Sequence, residues 1–267
     1  MKIGIFDSGL GGLLVARAIR KAMPEYDYVY LGDTKRVPYG NRSQKVVAEF
    51  LKEGVEYLFK QGCLLVVVAC NTASSEARRE IQQNYISKKY PGRKVLGVVV
   101  PSAEECVGSH RIGILGTIGT INSNTFPKEI KKISKNAKIF QNPAPMLVPL
   151  AEEGDIKLAK PFIAKYLKPL LNKKIDALVL GCTHYPIFKN QIKSEIRKIA
   201  GGKIKIISQD EIIPRKLKNY LARHIEIDRK LSKNNKAIIL ATDKTKNMGR
   251  LAKKWFGQSA KINLVKL

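Results

Sequence analysis

Two cysteines of this chain stand in matching sequence surroundings. Cys70 lies in the segment ACNT and Cys182 in the segment GCTH, and each follows an apolar run that is typical of a strand. A cysteine at a strand end and helix start can have its thiol pKa lowered from about 8.5 by the helix N-terminus, which makes the thiolate a usable base near neutral pH. The sequence therefore predicts two reactive thiols in equivalent positions.

Two such thiols fit a reaction in which two bases act on one carbon atom. One thiolate would remove a proton from the carbon, and the opposite thiol would return a proton to the other face. This chemistry needs hydrogen-bond donors that hold the carboxylates of a substrate and stabilise negative charge on the carbon. The remaining cysteines, Cys63 and Cys106, are interpreted as buried, inert thiols.

The composition argues against metal, disulfide and nucleotide chemistry. Four cysteines have neither the density of a disulfide framework nor the paired spacing of a zinc site. The chain has only three histidines, His110, His184 and His224, which are too few for a His-rich metal site. Neither a Rossmann fingerprint nor a P-loop is present. The sequence therefore predicts no metal and no cofactor.

Two polar loops could bind a carboxylate. The segment DSGLGG begins at Asp7, after the first predicted strand, and its glycines let the backbone come close to a ligand at a helix N-terminus. The loop after the second predicted strand contains GDT at residues 32–34 and VPYG at residues 37–40, which could donate backbone hydrogen bonds. Each loop could equally be an ordinary turn, the first with Asp7 or Ser8 as a helix cap.

Short apolar runs alternate with longer amphipathic stretches along the whole chain, which indicates an α/β protein with crossover helices. Continuous apolar character at the third, fourth and seventh runs favours parallel strands that are covered on both faces. The predicted strands are Lys2–Phe6, Tyr28–Leu31, Leu64–Ala69, Val95–Val100, Arg111–Leu115, Lys138–Gln141, Ala177–Leu180, Ile204–Ile207, Ala237–Ala241 and Lys261–Val265. Helical spacing predicts helices over Leu13–Met23, Arg42–Gln61, Thr72–Lys88, Thr120–Ile133, Ile156–Leu171, Pro186–Ile199 and Ile212–His224.

An internal repeat relates the two halves of this pattern. The segment IGIF, followed by a glycine-containing turn, recurs 109 residues later as IGIL, and VVVACNT recurs 112 residues later as LVLGCTH. Two motifs at nearly the same offset indicate two similar α/β domains. Ligands of open α/β sheets bind at the carboxyl ends of the strands. The repeat therefore predicts a cleft between the domains with one thiol on each wall.

Six segments, taken together, resemble the glutamate racemases of the cofactor-independent aspartate/glutamate racemase superfamily. They run in order from residue 3 to about residue 190 and read IGIFDSGLGG, YLGDTKRVPYGNRS, VVACNTAS, IGILGTIGTINS, LVPLAEEG and LVLGCTHYP. The resemblance implies cofactor-independent interconversion of L- and D-glutamate, which supplies D-glutamate for bacterial peptidoglycan. It also implies a homodimer, because members of the family commonly form dimers.

The same resemblance refines the expected architecture. It implies two similar α/β domains with mostly parallel sheets, related by pseudo-twofold symmetry, with the active site in the cleft between them. The first domain would be discontinuous, with residues 1–97 plus 209–267, and the second would span residues 98–208.

The resemblance also implies a role for particular residues. Cys70 and Cys182 would be the paired acid and base, with Cys70 the base toward D-glutamate and Cys182 the base toward L-glutamate. Asp7 would assist Cys70, and His184 would assist Cys182. The residues that match the substrate-binding positions of the family are Asp7, Ser8, Tyr39, Gly40, Asn71, Thr72, Thr117, Thr120, Glu152, Thr183 and His184, and the sequence does not separate Glu152 from its neighbour Glu153.

The sequence departs from the family pattern at two places. Residues 208–210 read SQD where the family often has a small SGA-type turn, and VPS at residues 100–102 lacks the acidic residue that often precedes this proline. These departures leave the two thiols in place, but they leave open the size of the pocket and any regulatory contacts.

Two other functions are compatible with parts of this sequence. An aspartate racemase of the same superfamily would keep both thiols and differ in the pocket. The charge of +27, from 49 Lys and Arg against 22 Asp and Glu, suggests instead a nucleic-acid binder or another acidic partner. The chain carries no paired-cysteine finger and no aromatic RNP-like segment, and only 7% of its residues are aromatic. We therefore interpret most of the charge as lysine-rich surface.

No apolar run in the sequence reaches the ~18 to 20 residues that cross a bilayer. We therefore expect a soluble, cytoplasmic protein with no membrane partner. The resemblance implies glutamate as its small-molecule substrate.

Overall fold

Two parallel sheets form the framework of the computed structural model, which describes residues 1–76, 81–244, 246–258 and 260–267. The first sheet has the strand order β10-β9-β2-β1-β3-β4 and the second the order β6-β5-β7-β8, and all neighbouring strands are parallel. The strands are β1 Lys2–Asp7, β2 Tyr28–Gly32, β3 Cys63–Val68, β4 Lys94–Gly97, β5 Arg111–Gly116, β6 Lys138–Pro143, β7 Ala177–Gly181, β8 Lys205–Ser208, β9 Ala237–Ala241 and β10 Ile262–Leu264.

All ten predicted strands are present, and the largest difference is at β4. The sequence predicts that this strand runs to Val100, but it ends at Gly97 and a helix begins at Val99. The Val98 N–H donates a hydrogen bond of 3.0 Å to the Ser74 hydroxyl instead of continuing the ladder. A side chain from another segment therefore ends the strand, which the apolar run alone does not reveal.

The helices agree with the prediction in part. The α-helices are Leu13–Ala22, Gln44–Lys60, Asn71–Glu76, Ser87–Lys89, Val99–Glu104, Ile118–Asn122, Thr125–Ile133, Leu147–Glu153, Ile156–Leu171, Lys189–Ala200, Gln209–Arg223, Ile225–Asp228 and Met248–Trp255. Two 3-10 turns, Tyr39–Asn41 and Tyr185–Phe188, and a π-helical turn, Ile81–Ile86, accompany them.

Four predicted helices differ in detail from the observed ones. The first three residues of the predicted helix Pro186–Ile199 belong to a 3-10 turn, and the predicted helix Ile212–His224 begins earlier, at Gln209. In the predicted helix Thr72–Lys88, residues 77–80 lie outside the described residues. The predicted helix Thr120–Ile133 is split in two at Asn124, whose φ of 52° is left-handed, a conformation that asparagine tolerates better than most residues.

Both sheets are covered on their two faces, as the continuous apolar runs predict. All six residues of β3 and all five of β7 are buried. One face of the first sheet packs against the helices Leu13–Ala22, Gln209–Arg223 and Met248–Trp255, and the other packs against Gln44–Lys60. Packing on both faces holds the strands in place, so a site can form only from the loops at the strand ends.

Two separate segments of the chain contribute strands to the first sheet. Strands from residues 2–97 and 237–264 form the first sheet, and strands from residues 111–208 form the second. After β8 the chain returns to the first sheet, where β9 pairs with β2. The fold is therefore the two-sheet α/β architecture that the sequence predicts, while the expected boundaries at residues 97/98 and 208/209 stay a prediction. Within the described ranges, no helix is long and apolar enough to cross a bilayer.

We predict that Gly54→Ala destabilises the fold. Gly54 lies in the helix Gln44–Lys60 against β1, where an added Cβ would lie 2.2 Å from a ring carbon of Phe6. The overpacking costs about 1–3 kcal/mol, more than the roughly 1 kcal/mol gained from helix propensity. Urea unfolding measures the difference. Gly249→Ala is the matched control, because its added Cβ has no neighbour within 4 Å in the described structure; equal stability changes in the two variants would contradict this packing.

Candidate active site

A cavity of about 350 Å³ lies at the carboxyl ends of strands from both sheets. Its lining comes from the loops after β1, β2 and β3 on one side and from those after β5, β6 and β7 on the other. Both thiols line it, as the repeat predicts. Eleven predicted site residues line the cavity: Ser8, Tyr39, Gly40, Cys70, Asn71, Thr72, Thr117, Glu152, Cys182, Thr183 and His184. The other two, Asp7 and Thr120, are fully buried and hydrogen-bond to lining residues.

Cys70 stands between β3 and the helix Asn71–Glu76. Its Sγ lies 3.5 Å from the Ser8 hydroxyl oxygen. Burial, and next the charge of Asp7, raise the pKa of Cys70 to about 12, although the Ala73 N–H and the Ser8 hydroxyl lower it. The expectation of a lowered thiol pKa is therefore wrong for Cys70, because the helix N-terminus does not outweigh burial beside a carboxylate. Cys70 holds its proton at neutral pH.

Cys182 belongs to a hydrogen-bonded chain of three side chains. Its Sγ lies 3.8 Å from His184 Nδ1, and His184 Nε2 lies 3.1 Å from Glu152 Oε1. Burial lowers the pKa of His184, but hydrogen bonds to Cys182 and Glu152 outweigh it and raise the pKa to about 10. His184 is therefore an imidazolium at neutral pH. Glu153 lines a neighbouring pocket, so the structure distinguishes the two glutamates.

Close packing holds the His184 ring. A Cβ at Gly11 would lie 2.5 Å from His184 Nδ1, so only glycine fits there without a shift. The Trp255 ring packs edge-on against the imidazole, with ring centroids 5.7 Å apart. Trp255 lies in a helix that is not among the predicted ones, although the apolar residues at positions 248, 251, 252 and 255 follow helical spacing.

Asp7 joins the first loop to the loop after β7. Its Oδ2 accepts hydrogen bonds from the Gly9 and Gly12 N–H groups, both 3.1 Å long, and its Oδ1 accepts one of 3.4 Å from the Thr183 hydroxyl. Burial raises the pKa of Asp7, against the lowering effects of the His184 charge and of these bonds. The charge of Asp7 raises the pKa of the Cys70 thiol, while its hydrogen bonds organise the surrounding loops.

Three threonine hydroxyls form a triangle between the two sheets. Thr72 Oγ1 lies 2.9 Å from Thr117 Oγ1 and 3.4 Å from Thr120 Oγ1, and the last two are 3.0 Å apart. A Cβ at Gly40 would lie 2.9 Å from Thr117 Cβ, so the loop after β2 closes directly over this triangle. The cluster offers hydroxyl donors to a ligand carboxylate.

Tyr39 lines the cavity, and its hydroxyl is hydrogen-bonded to a buried carboxylate. Its hydroxyl donates a 2.5 Å hydrogen bond to Asp33 Oδ2, which also accepts a 2.6 Å bond from Arg36 Nε. Thr242 donates to the other Asp33 oxygen at 2.8 Å. A buried carboxylate therefore holds this loop in place from behind.

Nine lining residues were not among the predicted site residues. A single sequence hardly distinguishes them as site residues, because most of them are apolar residues or glycine and resemble ordinary core or turn positions. Two of them, Ile118 and Met146, are large hydrophobic side chains that are 38% and 42% exposed. The nine are Gly9, Val37, Pro38, Asn41, Ile118, Pro145, Met146, Val148 and Pro149.

Across the described ranges, no three His, Cys, Asp or Glu side chains come together as a metal ion would require. The independence from metals and cofactors stays a prediction.

The chain is similar to known racemases over most of its length. Residues 14–209 match the family model described as Asp/Glu/Hydantoin racemase. A glutamate racemase from Aquifex aeolicus is 37% identical over 263 residues, which cover 97% of this chain and 95% of the relative.

Two crystal structures share the whole fold. Glutamate racemase from Francisella tularensis in complex with D-glutamate has a TM-score of 0.87 and 29% identity, over 99% of this chain and 97% of that chain. A glutamate racemase isoform from Bacillus anthracis has a TM-score of 0.88 and 31% identity, over 100% and 97%. The chain therefore belongs to the Asp/Glu/Hydantoin racemase family and, within it, to the glutamate racemases, which makes it an amino-acid racemase and hence an isomerase.

Proposed function

We propose that this racemase interconverts L- and D-glutamate by two-base proton transfer, with Cys182 and Cys70 as the two proton carriers. The observation that carries the proposal is that both thiols line one cavity and follow corresponding strands, β3 and β7, of the two sheets. Glutamate as the substrate is supported by the names of the curated relatives and by the Francisella tularensis complex with D-glutamate.

The surroundings of the two thiols suit the L-to-D direction. The imidazolium of His184 lies 3.8 Å from the Cys182 sulfur, where its positive charge would stabilise a thiolate, while Cys70 carries its proton. The Cys182 thiolate removes the α-proton of L-glutamate, and the electron pair of the broken C–H bond stays on the α-carbon. That carbon then takes the proton of Cys70 on its opposite face. The step leaves a neutral Cys182 and a Cys70 thiolate, which is the starting state for D-glutamate.

Polar groups around the cavity lower the cost of the carbanion. Negative charge on the α-carbon delocalises into the adjacent carboxylate, where preorganised donors stabilise it. The hydroxyls of Thr72 and Thr117 and the amide of Asn71 are the donors that we assign to the substrate carboxylates. Thr120 holds the two threonine hydroxyls from behind. The Ser8 hydroxyl, 3.5 Å from the Cys70 sulfur, donates to the thiolate that forms there.

The wider biology rests on the family resemblance alone. We propose that the D-glutamate supplies peptidoglycan synthesis in the cytoplasm and that the enzyme acts as a homodimer of chains, each with domains 1–97 plus 209–267 and 98–208.

We predict that Cys70→Ser and Cys182→Ser each lower kcat/KM for racemisation on the order of 10² to 10⁴-fold, because a hydroxyl is a poor proton-transfer base at neutral pH. Since the enantiomers have equal free energy, kcat/KM must fall equally in both directions. Circular dichroism follows the conversion. Cys106→Ser is the control, because this thiol lies outside the cavity and its hydrogen bond to the Ser102 carbonyl oxygen suits a hydroxyl. Full activity in either cavity variant would refute the mechanism.

We predict that His184→Asn destabilises the protein more at pH 7 than at pH 10. The raised pKa of His184 means that folding favours its protonated form. This contribution is complete below the unfolded pKa of about 6.5 and is lost as the pH rises through about 10. Urea unfolding at both pH values tests it, with His110→Asn as the control for loss of an exposed imidazole. An equal loss at both pH values would contradict the imidazolium.

We predict that kcat/KM for L-glutamate exceeds that for L-aspartate by about 10-fold or more, since one methylene in a fitted pocket is worth roughly 10 to 200-fold. Steady-state racemisation of both amino acids by the same preparation measures the ratio. A preference for aspartate would replace the proposed substrate and leave the two-base chemistry intact.

A further inference from the structure

A buried glutamine stands directly behind one residue of the cavity wall. Asn71 lines the cavity and is 2% exposed, and its Oδ1 accepts a 3.0 Å hydrogen bond from Gln209 Nε2. Gln209 is fully buried at the first position of the helix Gln209–Arg223, next to the carboxyl end of β8. The bond thus links the segment after β8 to the segment after β3.

A second hydrogen bond fixes which end of the Gln209 amide faces Asn71. The Ser102 hydroxyl donates to the Val98 carbonyl oxygen at 2.7 Å, so toward Gln209 it can only accept. It accepts a 3.4 Å bond from Gln209 Nε2. If the Gln209 amide were rotated by 180°, its carbonyl oxygen would face the lone pairs of the Ser102 oxygen, and two acceptors would repel each other. Ser102 therefore keeps the NH₂ group of Gln209 toward Asn71.

The orientation of Gln209 determines the orientation of Asn71. Because Oδ1 of Asn71 faces the Gln209 donor, its Nδ2 is turned to the other side. That Nδ2 is buried and has no hydrogen-bond partner within the described part of the protein. Buried amide donors are satisfied in most folded proteins, so an unpaired one in a cavity wall is suited to a ligand. An NH₂ group only donates, which fits a carboxylate oxygen.

We propose that Gln209 is a positioning residue: held by Ser102, it orients Asn71 so that Asn71 Nδ2 is presented to a carboxylate of the substrate. The proposal rests on the proposed function, which puts glutamate in this cavity. Gln209 also belongs to the SQD segment at residues 208–210, where the sequence departs from the family pattern. Neither Gln209 nor Ser102 lines the cavity, so the departure acts through Asn71.

The test is Gln209→Glu, which keeps the shape of the side chain and replaces its donor with an acceptor. Asn71 must then turn its NH₂ group to the introduced carboxylate, and it presents Oδ1 to the cavity, where it repels a substrate carboxylate. We expect KM to rise about 10-fold or more for both enantiomers, with kcat within about threefold of wild type. A defect that is only structural would lower the active fraction and leave KM unchanged.

Further variants complete the experiment. Gln191→Glu is the matched control, because Gln191 and Gln209 each have a buried Oε1 with no hydrogen-bond partner among the described residues. Gln191 lies away from the cavity, so the KM of this variant should be unchanged. In an Asn71→Ala background, Gln209→Glu should add no further rise in KM. Should Gln209→Glu not fold, Gln209→Met removes the same donor, and we expect its KM to rise at least threefold.

A folded position-209 variant with a KM within twofold of wild type would overturn the proposal, and so would a rise in KM that adds to that of Asn71→Ala.

Calorimetric binding of D-glutamate distinguishes a failure of the proposed racemase function from a failure of the positioning role of Gln209. A wild type that binds D-glutamate without racemising it would refute the proposed function, and the dissociation constants of the variants would then decide the role of Gln209. A wild type that neither binds nor racemises glutamate would overturn both.

Discussion

Burial of both thiols in one cavity is the constraint on which the rest of the site depends. A buried sulfur cannot rely on water to stabilise its thiolate, so its proton state is determined by its neighbours. Beside Cys70 the neighbours are Asp7 and the Ser8 hydroxyl, and the thiol keeps its proton. Beside Cys182 the neighbour is a positively charged His184, which Glu152 supports. The two sulfurs occupy similar places in the fold, yet their surroundings differ in charge, and the proposed division into one base and one acid rests on this asymmetry.

The two sheets make this arrangement possible because parallel strands bring their carboxyl ends to one edge. Loops after β1, β2 and β3 meet loops after β5 and β7, and side chains tie the two sets together across the cavity. The hydrogen bond from Thr183 to Asp7 and the triangle of threonine hydroxyls are such ties. The C-terminal segment closes the back of the site, where Trp255 packs against His184 and Gln209 bonds to Asn71. Residues near the C-terminus of the chain thus position lining residues that are distant from them in the sequence.

Much of this fold could be predicted from the sequence, because apolar periodicity and the internal repeat are local signals. They predict every strand of both sheets and both thiols at corresponding strand ends. The end of β4 could not be predicted, because it depends on the Ser74 hydroxyl from another segment. The pKa of Cys70 has the same kind of cause, since burial beside Asp7 arises only in the folded protein. The bond between Gln209 and Asn71 joins residues 138 positions apart, a distance over which no periodicity extends.

The most direct test of two thiols acting on opposite faces of one carbon is racemisation of L-glutamate in D₂O. The α-hydrogen of the product and of the recovered substrate is followed by NMR during the first turnovers. Two bases predict that D-glutamate carries deuterium at the α-carbon while the remaining L-glutamate keeps its hydrogen, because the Cys182 thiol formed from L-glutamate is not the acid that protonates the other face. Deuterium entering the recovered L-glutamate as fast as it enters D-glutamate would mean that one base serves both faces, and it would contradict the account.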